Sequence, residues 1–519
     1  MKIITGALLA LSFFVIVSAQ VVPPAFPPQI THVVVIFQEN RTPDNLFHFL
    51  PQKCQQNTNT CIPTMGTACY DISDCGLSND NPTKTDVPVP LTGVPLAGSA
   101  DPGHLHKNFE QMCDPDPVTF QCHNDGAWQI LPSNGSYAFV QNPTVTFNNS
   151  YGMGSTTALG PYLTFAQSYG WANQMFQTNQ GPSYPAHQFI FSGTSAPTAA
   201  DDANAKFVAD NFSPKGSHSG CLATLNSSDP LISPNPSGVC PNDCTCYDNN
   251  TVKVCPLTNN PLGTFCFSHD SMATLLDNAN PPIKWKYYAP SAGSIWTAPN
   301  SFLSICQPNS TFTECTGPEW SADVDLNDTD ILRDIKSCSL SPVSWVIPDD
   351  RWSDHAGGSQ DGTGPSWVAA IINEIGGFQN KCGYWQNTAV VVTWDDWGGW
   401  SDNQPPPILA GLPCAPGASC QGDYQYGFRV PMLVVSAYTG EGTINNSTHD
   451  FGSILRMIEG IFGLGEGKLG FADARANTDL HSFFNLSTAR TYTVVPAVQD
   501  PNYFLNFTGT PIAPDNDDF

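Results

Sequence analysis

The sequence predicts an α/β protein with a mostly parallel central sheet and helices on both faces. Three observations predict it. Short, continuously apolar runs recur along the chain, the pattern of strands buried on both faces. Between them lie segments with apolar residues at helical spacing, and alternating strands and helices build parallel sheets. With 519 residues, 40% of them hydrophobic, the chain is large enough for one big α/β domain with insertions or for two or three smaller domains.

The elements follow in order. Lys2 gives a positive start, Gly6 to Val17 is apolar, and Ser18-Ala19 are small, so residues 1–19 read as a secretory signal peptide. The apolar run falls short of the ~20 residues of a membrane span, so no anchor is expected after cleavage. Residues 20–30 are a Pro-rich lead-in. A strand over Thr31–Phe37 opens the main domain, residues 31–470. Residues 51–100 and 201–280 are rich in Cys, Pro and Asn and read as loop and insertion regions. A helix is expected over Leu163–Met175, with strands at Trp285–Tyr288 and Val343–Ile347. A second helix spans Ser366–Ile375, followed by strands at Thr388–Thr393 and Val430–Val435. Phe451, Ile454, Leu455, Ile458 and Phe462 mark a third, amphipathic helix. Residues 471–519 form a C-terminal extension.

Composition narrows the function. Only 12% of residues are charged, about half of the usual ~25%. The 45 acids outweigh the 19 bases, giving a net charge of −26 and a pI near 4.4. That balance argues against nucleic acid or an anionic membrane surface as partner. Acidic proteins still bind phosphates through metals and local donors. The 18 Cys, an even number in a chain that reads as secreted, predict disulfides. Six of them cluster: Cys221, Cys240, Cys244, Cys246, Cys255 and Cys266. They lack the His partners and paired CxxC spacing of a zinc module. Sequons at Asn148, Asn211, Asn226, Asn309, Asn485 and Asn506 suggest a glycoprotein.

Three segments carry candidate chemistry. In HVVVIFQENRTPDNLF, an apolar strand ends in Glu39, Asn40 and Arg41. Ligands of open α/β sheets bind outside the carboxyl ends of strands. Thr42-Pro43-Asp44 then suits a helix start, whose N–H groups favour an anion. The same residues also suit a strand end that only caps a helix. In TAVVVTWDDWGGWSDN, a second buried strand ends in Asp395 and Asp396. Adjacent carboxylates repel unless a cation sits between them. Glu39, Asn40, Asp395 and Asp396 together make an all-oxygen set suited to Mg²⁺, Ca²⁺ or Mn²⁺. In GPSYPAHQF, Pro182 and Pro185 restrict the backbone around Ser183, which by itself is a loop serine. Its hydroxyl becomes a nucleophile only with a base or metal beside it.

These motifs occur in one order with DPGH (Asp101 to His104), VSWVIPDD, SDHAG, FRVPMLVVSAYT and HDFGSIL. In that set the chain resembles the phosphoesterase family that contains phospholipases C and secreted acid phosphatases. The resemblance runs from about His32 to Leu464. It implies an alkaline-phosphatase-like fold and a secreted, extracellular or periplasmic, phosphoric ester hydrolase. It also implies a divalent metal held by Glu39, Asn40, Asp395 and Asp396, with Ser183 as the nucleophile of a phosphoseryl intermediate. His104 and His355 would hold the phosphoryl group or protonate the leaving oxygen. His106, His187 and His449 carry over only weakly. The implied substrate is a phosphomonoester or a phospholipid, with Trp397 and Trp400 as possible pocket walls. Two departures stand out: Asn403 where relatives often have His, and Pro-Ala-His at 185–187 where they often have Pro-Asn-Arg. They motivate an alternative, a catalytically altered secreted binding protein on the same scaffold. A sulfatase ranks lower, because the segment from Ser183 to His187 lacks the Arg of that nucleophile motif.

Overall fold

The computed structural model describes residues 26–50, 69–79, 86–116, 118–131, 135–211, 218–223, 231–234, 265–409 and 423–512. The signal peptide at 1–19, Cys240, Cys244, Cys246, Cys255 and the sequon at Asn226 lie outside the described residues.

An eight-stranded mixed sheet forms the centre. Its strands are β1 (His32–Gln38), β2 (Gly170–Ala172), β3 (Trp285–Tyr288), β4 (Val324–Asp325), β5 (Val343–Val346), β6 (Thr388–Trp394), β7 (Met432–Ser436) and β8 (Thr443–Asn445), in the spatial order β4-β3-β5-β1-β6-β7-β2-β8. The block from β4 to β6 is parallel; β7 runs antiparallel to both β6 and β2, and β8 pairs in parallel with β2. The expected mostly parallel sheet is therefore present. β1 and β6 lie in its middle, and Val33, Val34, Val35 and Val390, Val391, Val392 are wholly buried, as continuous apolarity requires of strands covered on both faces.

Helices cover the two faces. On one, α3 (Gly160–Ser168) and α5 (Gly364–Ile375) pack together, α5 also touching β6. On the other, α4 (Ser183–Ser192) packs against α6 (Phe451–Phe462). Two short helices precede these in the chain, α1 (Pro43–Leu46) and α2 (His106–Cys113). Local chemistry sets several ends. Pro365 begins α5 within its first turn, and Asp450 with Ser453 closes a capping box on α6. Gly193 and Gly463, both left-handed, end α4 and α6. The expected helix over Leu163–Met175 is shorter: it stops at Ser168, and Gly170–Ala172 is a strand. A Cβ at Gly170 would lie 2.9 Å from the Val434 carbonyl, so the glycine lets β2 pair closely with β7. Residues 471–512 pack into the body, with Leu480, Phe483 and Phe504 fully buried.

Disulfides join Cys113–Cys122, Cys221–Cys266, Cys306–Cys315 and Cys338–Cys382. Asn148, Asn485 and Asn506 are exposed, whereas Asn211 is buried and its side-chain oxygen accepts the Tyr184 N–H. Among the described residues, no helix is long and apolar enough to cross a membrane.

Two predictions follow from this packing. Ile371, fully buried in α5, leaves a cavity when cut to Ala. Ile371→Ala should lower unfolding free energy by about 2–5 kcal/mol in urea titrations, and a loss well under 1 kcal/mol would contradict the packing. The second concerns pH. Burial pushes Glu459 up to about 8, aided by Asp473, and Asp328 to about 7, aided by Asp349. Burial also raises Asp354 and Asp450 to about 6. These folded-state values lie above the unfolded ones, so their stabilising share is lost as pH rises through them. Burial lowers His187 to about 4 and His449 to about 3, which costs stability only as pH falls below the ordinary histidine range. The melting temperature should therefore rise as pH falls from about 8 to about 6.5. Scanning fluorimetry that shows the opposite slope would contradict it.

Candidate active site

The register of the central strands builds the site. Gln38 lies opposite Trp394 in the parallel pair β1–β6, so Glu39-Asn40 and Asp395-Asp396 leave the sheet side by side. The Asp395 N–H donates to the Gln38 carbonyl at 3.1 Å, and the Asn40 N–H donates to Asp395 Oδ1 at 3.1 Å. Asn40 takes φ +58°, a left-handed conformation that Asn tolerates better than most side chains. That turn sends its amide across the site. Asn40 Nδ2 lies 2.9 Å from His104 Nε2, and Asn40 Oδ1 lies 3.5 Å from Ser183 Oγ.

The two glycines of the WDDWGGW segment allow this closeness. Gly398 has φ +61°, and a Cβ there would sit 2.4 Å from the Asn40 carbonyl. Gly399 has φ +69°, and a Cβ there would sit 2.6 Å from the Gly103 carbonyl, in the loop that carries His104. Both positions lie in the region that favours glycine.

Ser183 is the first residue of α4. Its Oγ lies 3.3 Å from Asp396 Oδ2, while Asp396 Oδ1 accepts the Gly398 N–H at 2.7 Å. One turn along α4, His187 reaches the strand ends. Its Nε2 is 3.2 Å from Glu39 Oε1 and 3.8 Å from Asp395 Oδ2. Glu39, His187 and Asp395 each bring a ligand atom within 4.8 Å of the others, and all three are buried. Burial holds the His187 imidazole near pKa 4 despite Asp395, so it is neutral over most of the pH range. Asp395 Oδ2 has no hydrogen-bond partner among the described residues. A buried carboxylate oxygen left this way is costly unless a cation meets it.

A second group lies alongside. Asp101, His104 and His355 also bring ligand atoms within 4.8 Å of one another, and the two imidazole rings are 6.0 Å apart edge to face. His104 Nδ1 faces the Pro102 carbonyl at 2.8 Å, which places the proton there and makes Nε2 the acceptor for Asn40. His355 Nδ1 faces the Ala356 carbonyl at 2.6 Å.

Arg41 explains the base at the end of the first strand. It is fully buried and turns away from Glu39, donating from Nε to the Asp354 carbonyl at 2.7 Å and from Nη1 to Asn45 Oδ1 at 3.2 Å. The Trp400 ring covers its guanidinium at 5.0 Å. Asp354 is also held by Tyr162 and Trp394. Arg41 thereby fixes the segment that carries His355.

The structure thus brings together all seven expected residues: Glu39, Asn40, His104, Ser183, His355, Asp395 and Asp396. It adds His187, which the sequence reading kept only weakly. The departure at 187 was the available signal. Other expectations change. The N-terminus of α1 faces an internal anion, since the Asp44 N–H donates to Asp402 Oδ2 at 3.5 Å. Thr42 does cap that helix. Asn403 sits apart from Ser183, donating to Asp71 Oδ1 and accepting from Arg429 Nη2 at 2.6 Å. Arg429 is wholly buried among Asp44, Asp71 and Asp402. Trp397 and Trp400 are packed away from solvent and support the site rather than line an open pocket. His106 binds the Gln180 carbonyl, and His449 binds Thr478.

Gly398→Ala should push Asn40 out of place while leaving the rest of the sheet intact. We expect at least about a hundredfold loss of turnover, given how steeply rate depends on placement, with little change in far-UV dichroism. A variant with full turnover would show that Asn40 need not sit where it does.

A model of the phosphoesterase family matches residues 30–465. Over 176 residues the chain is 27% identical to the non-hemolytic phospholipase C of Pseudomonas aeruginosa, covering 30% of this chain and 25% of that protein. It is 29% identical over 176 residues to phospholipase C B of Mycobacterium tuberculosis, covering 30% and 32%. With the non-hemolytic phospholipase C of Burkholderia pseudomallei it shares 30% identity over 166 residues, covering 28% and 22%. The matched segment therefore spans about a third or less of these curated relatives. Among solved structures, a protein in the alkaline phosphatase superfamily from Vibrio parahaemolyticus aligns over 60% of this chain and 62% of its own, at 11% identity and a TM-score of 0.30. The lipoteichoic acid synthase LtaP from Listeria monocytogenes aligns over 62% and 70%, at 11% identity and a TM-score of 0.29. At such scores the likeness carries no argument about the site.

Proposed function

The chain belongs to the phosphoesterase family, and from that membership we propose that it is a secreted, metal-dependent phosphoric ester hydrolase with Ser183 as its nucleophile. The observation that carries the reading is the convergence of Ser183 Oγ with Asp396, at 3.3 Å, and Asn40, at 3.5 Å, beside the buried Glu39–His187–Asp395 group. The disulfides between described residues fit an oxidising compartment.

Glu39, Asn40, Asp395 and Asp396 would hold the divalent cation. Their oxygens fit such a group, as does Asp395 Oδ2, which has no hydrogen-bond partner among the described residues. When bound, the cation lowers the pKa of the serine hydroxyl and offsets phosphoryl charge. The chain's own residues do the rest. The Ser183 hydroxyl gives its proton toward the Asp396 carboxylate, and the Oγ–P bond forms as the bond from phosphorus to the leaving oxygen breaks. His355, its Nδ1–H held by the Ala356 carbonyl, acts as the imidazolium and gives its Nε2 proton to that leaving oxygen. Asn40 is held by His104 and keeps its amide oxygen toward Ser183. In the second half, water gives a proton to His355 as its oxygen bonds phosphorus, the Oγ–P bond breaks, and the Asp396 carboxyl returns its proton to Ser183 Oγ. Positioning and charge account for most of this chemistry, as in phosphoryl transfer generally.

The names of the curated relatives make a phospholipid the first substrate to try and a phosphomonoester the second. Purified protein should hydrolyse an aryl phosphate, an aryl phosphorylcholine or phosphatidylcholine, and release of phosphate against diacylglycerol sorts the two activities. Chelation should abolish turnover and an added divalent cation should restore it. Ser183→Ala should lower turnover by about a thousandfold or more, with the melting temperature retained. Full activity in that variant would remove Ser183 from its role. A chain that binds the cation yet turns over none of these esters would be the altered binding protein raised by the two sequence departures.

A further inference from the structure

We infer that His187 supplies an imidazole nitrogen to the cation pocket, and that the pocket thereby takes a first-row transition-metal dication, of the zinc or cobalt type, in preference to Mg²⁺ or Ca²⁺. The inference rests on the metal-dependent reading above and narrows the chemical class of its cofactor.

The geometry points this way. His187 Nε2 stands 3.2 Å from Glu39 Oε1 and 3.8 Å from Asp395 Oδ2. A hydrogen bond accounts for the first separation but not the second, which is too long. Yet Asp395 Oδ2 is buried and partnerless among the described residues, and it faces the imidazole. In a tetrahedral site with bonds of ~2.1 Å, neighbouring ligand atoms lie about 3.4 Å apart. The two observed separations bracket that spacing. His187 Nδ1 also lacks a hydrogen-bond partner among the described residues, so no second acceptor sets the ring's direction. Packing sets it instead: the Phe37 ring lies 5.4 Å from the imidazole and the Trp296 ring 6.4 Å. Helix α4 delivers this nitrogen and Ser183 Oγ one turn apart on the same face.

Charge leads to the same place. Glu39, Asp395 and Asp396 are all wholly buried. The two arginines fully buried among the described residues are committed elsewhere, Arg41 to Asp354 and Arg429 to Asp44, Asp71 and Asp402. The imidazole nitrogen of His187 stands where it can join the Glu39 and Asp395 carboxylates in coordinating a dication. An all-oxygen set suits Mg²⁺ and Ca²⁺; replacing one oxygen by imidazole moves the preference to zinc, cobalt or iron.

The test uses the full chain, stripped of metal by chelation. Calorimetry compares Zn²⁺ with Mg²⁺ on the unsubstituted protein, His187→Gln and Glu39→Gln, and pulsed electron paramagnetic resonance of the Cu²⁺-loaded protein reads nitrogen coupling directly. We expect imidazole nitrogen modulation in the unsubstituted protein that His187→Gln removes. That variant should also lose Zn²⁺ affinity by about 10–100-fold while Mg²⁺ affinity stays within about twofold. Nitrogen modulation absent from the unsubstituted protein, or Zn²⁺ and Mg²⁺ weakened equally by His187→Gln, would overturn the inference and leave the metal-dependent reading standing. Should His187→Gln fail to fold, the resonance signal of the unsubstituted protein decides. No dication bound at all, or binding untouched by Glu39→Gln, would sink the metal-dependent reading itself, and this inference with it.

Discussion

Everything at the site depends on the parallel register of two central strands. Val33 to Phe37 and Ala389 to Thr393 pair residue for residue, and that pairing puts two polar tails at one edge of the sheet. A slip by one residue would turn every strand side chain to the opposite face, so the buried valines on both strands hold the register firmly. The hydrogen bonds from Asp395 to Gln38 and from Asn40 to Asp395 extend the pairing one step past the sheet. The core and the chemistry are thus set by one interaction. The apolar strand interiors fix the alignment, and the alignment brings the acids together.

The remaining parts are secured against that edge. Ser183 and His187 come from the first turns of one helix, and Gly398 and Gly399 let two loops approach where any side chain would collide. Arg41 ties the first strand's tail to the segment holding His355. The three residues after Gln38 therefore work in three directions: Glu39 toward His187 and Asp395, Asn40 toward Ser183 and His104, Arg41 toward Asp354. This division accounts for an acid, an amide and a base following so apolar a strand.

Most of this was legible in the sequence because strong patterns encode it. Uninterrupted runs such as VVVIF and AVVV mark doubly covered strands, and polar residues right after them mark strand ends. Other features depended on contacts across the chain. His187 lies in an apolar helix, between Ala186 and Gln188, and only the tertiary fold shows that its ring meets the strand ends. The anion at the N-terminus of α1 is Asp402, 358 positions away, which no local pattern reveals. Asn403 belongs to the buried Arg429 cluster for the same reason. The helix expected over Leu163–Met175 stops early because Gly170 pairs with a strand far along the chain.

The long separations have a further meaning for how the protein is made. Asn40 and Asp395 are 355 positions apart, and Ser183 and Asp396 are 213 apart. Closing such loops is among the last entropic costs met in folding, so no short fragment carries a working centre. A chain that has not yet brought Asp395 and Asp396 to the end of its first strand holds neither a gathered set of carboxylates nor an aligned serine. The centre is thus a property of the finished sheet, assembled only once β1 and β6 have paired.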